Sequence, residues 1–399
     1  PILRRLRLKN IVRVLHVYRT YFPDTQGGLE EVIRQICLNT QTLSVDSRVL
    51  TTSSNPASAP IDLNECTVYQ NRKHMEIASC SIALGAVPEF KRQLAWADIV
   101  HYHFPWPFAD ILHFAVNVNK PTVVTYHSDI VRQRLLGWAY RPLMNRFLSS
   151  VDSIICTSPN YFATSDVLSR HAHKVNIIPI GINDLPARHI QKEEVDIEIE
   201  AQYGRDFFLF VGVMRYYKGL HILLQAAHNA SYRFVLVGSG PIEQDLKEQA
   251  KKMGLNNVTF AGYLPDRVKN HLFNLAIAVV FPSYLRAEAF GITLLEGARH
   301  GRPLISTEIG SGTSHVNIHG ETGLVVPPGS HTALRRALDQ IWHNRETAKH
   351  MGNQARKRYE KLFSGKVMGE RYFAHYQSML TPARDAQNSS NDADLVKEH

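Results

Sequence analysis

Short apolar runs rich in β-branched and aromatic residues alternate along this chain with longer stretches whose apolar positions recur every three or four residues. Val12–Tyr18, Ser47–Thr51, Ile99–Tyr102, Thr122–Tyr126, Ser153–Thr157 and Val175–Ile180 read as buried strands, with helical patterns at Leu29–Leu43 and Val131–Leu148. From Asn183 to Gly204 the texture changes to an acidic segment without strand alternation, which reads as a linker leading into a peripheral helix. Alternation then restarts. Strands are expected at Phe207–Val211, Arg233–Val237, Val258–Phe260, Ala276–Phe281 and Pro303–Ser306, and helices at Leu220–Asn229, Ile242–Met253, Arg267–Asn274 and Ile292–His300. Ala333–Leu380 is helical in pattern.

Buried strands alternating with amphipathic helices indicate parallel sheets covered on both faces. With 399 residues, too many for one ordinary core, the expected architecture is α/β, with two doubly wound Rossmann-like domains facing across a cleft. Residues 1–184 form the first domain and 185–365 the second, 366–382 are a C-terminal helix, and 383–399 a polar, disordered tail.

Composition changes this picture little. No apolar run reaches the length of a transmembrane helix, and Ile11–Val17, interrupted by Arg13, reads as neither a span nor a signal peptide. The four cysteines are scattered without metal or redox spacing, which fits a reducing cytoplasm. The net charge of +9 is shared almost equally between the two halves. That argues against a dedicated nucleic-acid face and suits an acidic substrate or an anionic membrane surface.

The densest candidate chemistry is Tyr284-Leu-Arg-Ala-Glu288-Ala-Phe290-Gly291-Ile292-Thr-Leu-Leu-Glu296, which follows a strand and opens a helix. The amides of Phe290, Gly291 and Ile292 would lie unpaired at the helix start, where a phosphate docks. Glu296, more than a turn inside, could accept hydrogen bonds from a ribose, and Glu288, ahead of the helix, could meet a sugar. Read in isolation the segment is equally a helix start with two solvated acids. Val211-Gly-Val-Met-Arg215-Tyr-Tyr-Lys218-Gly also closes a strand before a helix, and an Arg with a Lys suits a diphosphate. Gly27-Gly28 joins the first strand to a helix in a turn open to an anion, though paired glycines are also ordinary turn chemistry. His127 and Asp129 end a strand where they can face a cleft.

Other motifs are incomplete. Gly238-Ser-Gly240 lacks the third glycine of a dinucleotide fingerprint, and Phe260–Leu264 offers no ribose-binding acid, so an NAD-linked oxidoreductase is a weak rival. There is no P-loop, and the single Asp-x-Asp, Asp392–Asp394, lies in the tail. His101 and His103 lack partners at zinc spacing and read as packing residues.

In this order these segments resemble family 4 glycosyltransferases of the GT-B fold, from about Arg13 to Phe373, including Glu321-Thr-Gly-Leu-Val-Val-Pro-Pro328. The resemblance implies a nucleotide diphosphate sugar held by the second domain, an acceptor entering from the first, and transfer with retention and without a metal or other cofactor. It implies that Glu296 holds the ribose and that Gly262 and Tyr263 lie near the base. Lys218 and the 290–292 amides would hold the phosphates, with Gly27, Gly28 and Arg215 as further phosphate contacts. Glu288 and His127 would touch the transferred sugar, Asp129 the sugar or acceptor, and the last helix would return to the first domain. Val213 departs from the family pattern, which has Arg at that position; a non-catalytic sugar-nucleotide binder is the corresponding alternative. The wording around His127 and Ser306–Ser314 resembles bacterial surface-polysaccharide mannosyl- and rhamnosyltransferases. That implies GDP-mannose or GDP-rhamnose as donor, with a UDP-sugar as the alternative, and a glycan or lipid-linked glycan as acceptor. Arg132, Arg134, Trp138, Tyr140, Arg141 and Arg146, with no acid from Ile130 to Ser150, offer a face for anionic headgroups or simply for solvent.

Overall fold

The computed structural model describes residues 11–77, 80–129, 134–185 and 194–381. The first sheet is built from β1 (Val12–Val17), β2 (Val45–Ser53), β3 (Ile61–Asp62) and β4 (Thr67–Arg72), then, past a small hairpin of β5 (Met75–Ile77) and β6 (Cys80–Ile82), from β7 (Ile99–Phe104), β8 (Thr122–Tyr126), β9 (Ser153–Cys156) and β10 (Val175–Ile177). The second contains β11 (Phe207–Val211), β12 (Arg233–Val237), β13 (Val258–Gly262), β14 (Ala278–Phe281), β15 (Leu304–Thr307) and β16 (Gly323–Val326). The helices of the first half are α1 (Gly28–Gln41), α2 (Ala86–Trp96), α3 (Pro107–Val116), α4 (Arg134–Ser150), α5 (Pro159–Thr164) and α6 (Asp166–Ser169). Those of the second are α7 (Glu194–Tyr203), α8 (Leu220–Ala227), α9 (Glu243–Lys252), α10 (Asp266–Leu275), α11 (Ile292–Arg299), α12 (Thr313–Val316), α13 (His331–His343), α14 (Arg345–Leu362) and α15 (Gly365–Leu380).

The strand order is β10-β9-β8-β7-β1-β2-β4-β3 in the first sheet and β13-β12-β11-β14-β15-β16 in the second. The pairings are parallel except where β3 meets β4. Strands such as Phe-Phe-Leu-Phe-Val and Ala-Val-Val-Phe are buried throughout, as a sheet covered on both faces demands. The order in which strands are added reverses between β1 and β7 in one sheet and between β11 and β14 in the other, and the carboxyl ends of strands flanking such a switch are where α/β sheets bind ligands.

The sequence pattern places the main strands to within a few residues and misses β3 to β6, α2, α3 and β16. Thr67–Arg72 is half polar because it lies near the sheet edge, so no clear alternation marks it. The helical stretch after Ala333 is three helices, broken at Asn344 and at Phe363–Ser364, where Ser364 caps α15 by accepting from Val367 N at 3.3 Å. The expected tail and most of the acidic linker, residues 186–193, lie outside the described residues. Among the described residues, no helix is long and apolar enough to cross a membrane.

The chain passes between the sheets twice, and the two passages bind each other. Ile182 donates to Phe363 O at 3.0 Å and accepts from Gly365 N at 2.7 Å and from Tyr359 Oη at 2.9 Å. After the second passage α15 lies across α1 on the first sheet's side, with Tyr376 Oη 2.8 Å from His101 Nδ1 and Tyr372 Oη 3.0 Å from Thr125 Oγ1. The helices approach closely because Gly369 has no side chain; a Cβ there would lie 2.7 Å from Asn39 Cβ and from Asn39 O. Gly369→Val should therefore push α15 off α1 and destabilise the protein by about 1–3 kcal/mol, the usual cost of overpacking, measured as a lower urea midpoint.

Candidate active site

The turn after β11 and the loop after β14 meet at the second sheet's switch point. Phe207–Val211 ends in an irregular turn whose last residue before α8 is Gly219, at φ +69°. A Cβ on Gly219 would lie 2.0 Å from Pro282 O, so the turn seats against the β14 loop only with glycine there. Lys218 is thereby carried to Glu288, and the two form an ion pair. Their side chains are only 13% and 11% exposed, and the Lys218 ammonium sits 4.6 Å from the Phe281 ring centre. Ser283 Oγ also donates to Glu288, at 3.3 Å. Glu288 is thus held by a cation and a hydroxyl, and not free as the sequence pattern suggests.

Gly291, at φ +87°, is the N-cap of α11. Leu294 donates back to Gly291 O at 2.9 Å, leaving the amides of Phe290, Gly291 and Ile292 ahead of the helix's own ladder. Phe290 offers only this amide, since its ring is buried against Phe363. Thr293 ties the helix start to β11 by donating to Val211 O at 3.0 Å. One turn on, burial raises the Glu296 carboxyl above its ordinary range, against the pull of the nearby cations Lys269 and Arg299. Lys269, from α10, pairs with Asp266 at 2.6 Å and also lies near enough to feel the Glu296 charge. Tyr263 is 73% exposed beside Gly262 at the end of β13.

From the first domain, Gly27 caps α1 and a Cβ on Gly28 would lie 3.6 Å from Ile292 Cδ1, so this turn abuts the start of α11 across the cleft. The turn already holds an acid: Glu30 accepts from Thr25 Oγ1 at 3.1 Å, and its carboxylate fills the space beside Gly27. An anion-accepting turn is therefore not what the ligand-free geometry presents there. Asp129 is likewise engaged. It accepts from Tyr126 Oη at 2.8 Å and Ser165 Oγ at 3.1 Å, and pairs with Arg286 Nη2 at 3.2 Å. Arg286 also donates to Gly310 O at 2.8 Å and lies over the Tyr161 ring, bridging the two domains. Arg286 carries no signal in the sequence, because its partner stands 157 residues away. Arg215 is exposed and lines a cleft of about 400 Å³ with Asp129, Ser128, Tyr217, Pro241 and Ala287. Val213, where the resemblance expects Arg, is 48% exposed.

His127 ends β8 and is 4% exposed; burial holds its pKa down to about 3, so it is a neutral imidazole. The sequence reading of His101 and His103 as lacking partners needs correction. His16 on β1 stands in register with His101, and ring nitrogens of His16, His101 and His103 lie within 4.8 Å of one another. Sequence spacing hides this grouping because its third member comes 85 residues earlier. Of the basic and aromatic residues offered as a surface on α4, Tyr140 turns inward to donate to Asp110 and Arg146 lies 4.8 Å from the Phe114 ring centre. Arg132 and the side chains of Arg134 and Trp138 lie outside what is described.

Residues 26–184 match Glycosyltransferase Family 4, and residues 191–358 match Glycosyl transferases group 1. The chain is 49% identical over 355 residues to D-rhamnosyltransferase WbpZ of Pseudomonas aeruginosa, covering 88% of this chain and 92% of that protein. It is 45% identical over 369 residues to O-antigen chain mannosyltransferase C of Escherichia coli, covering 92% and 99%. In three dimensions it resembles the sucrose-phosphate synthase of Thermosynechococcus elongatus, with a TM-score of 0.76 over 92% of this chain and 99% of that one, at 21% identity.

The raised Glu296 carboxyl sets a pH dependence. Between the ordinary carboxyl pKa and the raised folded value the folded state binds the proton and the unfolded state does not. Stability therefore falls as pH rises through this window and stays lower above it. Glu296→Gln should raise the melting temperature of the ligand-free protein at pH 8, with the gain shrinking toward pH 4, as followed by thermal melts across that range.

Proposed function

Because the chain belongs to the family 4 glycosyltransferases and has their GT-B fold, we propose that it transfers a mannose- or rhamnose-type hexose from a GDP-sugar to a glycan or lipid-linked glycan during surface-polysaccharide synthesis. The observation that carries this reading is the convergence of Lys218, Glu288 and the start of α11 at the second sheet's switch point. The names of the two relatives, a rhamnosyltransferase and an O-antigen mannosyltransferase, support the sugar class.

In this reading the donor diphosphate takes Lys218 from Glu288 and docks on the amides of residues 290–292, with Arg215 reaching in from the cleft wall. Glu288, released, and His127 hold the transferred sugar. Glu296 accepts from the ribose, and Tyr263 lies by the base. The Gly27–Gly28 turn closes over the donor from the opposite side, and Asp129 fixes the width of the acceptor side through Arg286. The acceptor oxygen forms its bond to the anomeric carbon on the face from which the diphosphate leaves, so configuration is retained. The departing β-phosphate oxygen takes the acceptor proton. Negative charge gathering on that phosphate is met by Lys218 and by the helix start, so the reaction proceeds without a metal. The enzyme works in the cytoplasm, against the anionic inner face of the membrane where a lipid-linked acceptor is presented.

Lys218→Ala should lower turnover by about 10²–10³-fold, as for loss of one preorganised donor, in a transfer assay with GDP-mannose and GDP-rhamnose; near-normal turnover in a folded variant would remove the assignment. Thermal melts with GDP, UDP, ADP and NAD test the donor class, because a ligand that binds only the folded state raises its stability. GDP should raise the melting temperature most; a larger rise with UDP would move the reading to a UDP-sugar, and with NAD to an oxidoreductase.

A further inference from the structure

His127 is the end of a buried chain of histidines. Its Nε2 lies 3.1 Å from Nδ1 of His103, and Nε2 of His103 lies 3.1 Å from Nδ1 of His16. Adjacent rings are tilted by only 20° and 21°, with centres 5.4 Å apart, so each N–H···N contact is close to in-plane. His16 and His103 sit on β1 and β7, and His127 directly follows β8, the strand on the other side of β7 in the first sheet. At the inner end, His16 Nε2 is buried without a partner. At the outer end His127 stands at the carboxyl edge of β8, and the next two residues, Ser128 and Asp129, line the 400 Å³ cleft. His127 Nδ1 makes no hydrogen bond among the described residues.

Burial depresses all three pKa values, so each ring carries one N–H and one bare lone pair. Two N–H groups cannot face each other, and two bare lone pairs 3.1 Å apart repel, so the protons along the chain must all point the same way. Pointing inward, they would strand an N–H at His16 Nε2 with nothing to accept it. Pointing outward, they leave a bare lone pair there, and a buried orphan donor is the rarer defect. The outward arrangement makes His16 donate to His103 and His103 donate to His127, leaving Nδ1–H of His127 for the cleft.

We propose that His103 and His16 are positioning residues that fix the tautomer of His127, so that it meets the bound sugar as an Nδ1–H donor to a lone pair of a sugar oxygen. This rests on the reading above that His127 touches the transferred sugar. A metal ion held by His16, His101 and His103 is the competing account of the same cluster. It would require His101 to release Thr125 Oγ1 at 2.7 Å or Tyr376 Oη at 2.8 Å, and His103, whose two nitrogens are both engaged, to release His16 or His127.

Nitrogen spectra of the full chain labelled with ¹⁵N-histidine read the tautomers directly, without donor or acceptor present. His127, His103 and His16 should each show the neutral Nδ1–H form from pH 6 to 8. An Nε2–H form at His127, or about one equivalent of transition metal in the purified protein, would overturn the proposal. His103→Leu should mix the two tautomers of His127 and lower kcat by about 10- to 100-fold, the range for losing an outer partner that orients a functional histidine, with a smaller change in donor KM. His103→Asn keeps an N–H toward His127 Nε2 and should restore the single tautomer and most of the turnover; equal rates in the Leu and Asn variants would count against the relay. His127→Ala at the wild-type transfer rate would instead sink the sugar contact itself, and the nitrogen spectra would still report the tautomer separately.

Discussion

The mutual hydrogen bonding of the two passages between the sheets holds the cleft in being. Ile182 is bonded through both its amide and its carbonyl to the segment 363–365, and Tyr359 closes on the same carbonyl. Around this buried pair, Asn183 accepts from Arg299 at 2.8 Å and donates to Gln35 at 2.9 Å, tying α11 and α1 to one residue. A second bridge between the domains is of a different kind. Arg286 and Asp129 are 30% and 25% exposed, and an ion pair so open to water is worth little.

Within that frame the site is built from loops that follow buried strands. Strands that cannot slip deliver Lys218 to Glu288, and set Ser128 and Asp129, just after His127, on the same cleft as Arg215 and Ala287. The Lys218–Glu288 pair keeps two charges satisfied where each alone would be costly. Glu296 is less comfortable, with its carboxyl partly desolvated and its nearest cations acting through space. A group held this way gains from a polar ligand that donates to it, so part of the ligand's grip is stored in the empty site as local instability.

The sequence makes visible those features whose cause is local. Phe207–Val211 and Ala278–Phe281 are too apolar to be anything but buried strands, and so the residues just beyond them, Lys218 and Glu288, could be singled out. The ion pair between them was not legible, since it depends on how closely Gly219 lets one loop approach Pro282. His16 was unmarked for a related reason. In a strand buried on both faces, a histidine among valines and leucines carries no pattern, and only parallel register with β7 gives it neighbours. The tie from Asp129 to Ser165 and Arg286 was not legible either, since both come later in the chain and are brought back by folding. Polar edge strands such as β3 and β4 escaped because only Val68 and Asn71 in them are fully buried, which leaves no alternation to read.

The position of α15 also bears on the order in which the protein can mature. The last described helix covers the first one, and Tyr372 and Tyr376 supply the hydroxyl partners of Thr125 and His101. While the chain is being made, the first sheet is complete once β10 has emerged, yet its α1 flank waits for a helix roughly 200 residues further on. At about 5–20 residues per second that is about 10–40 s of synthesis. Through that interval the nascent first domain carries an uncovered seam lined by apolar residues and by hydroxyl and imidazole groups without their mates. The second domain must be synthesised before the first can be sealed.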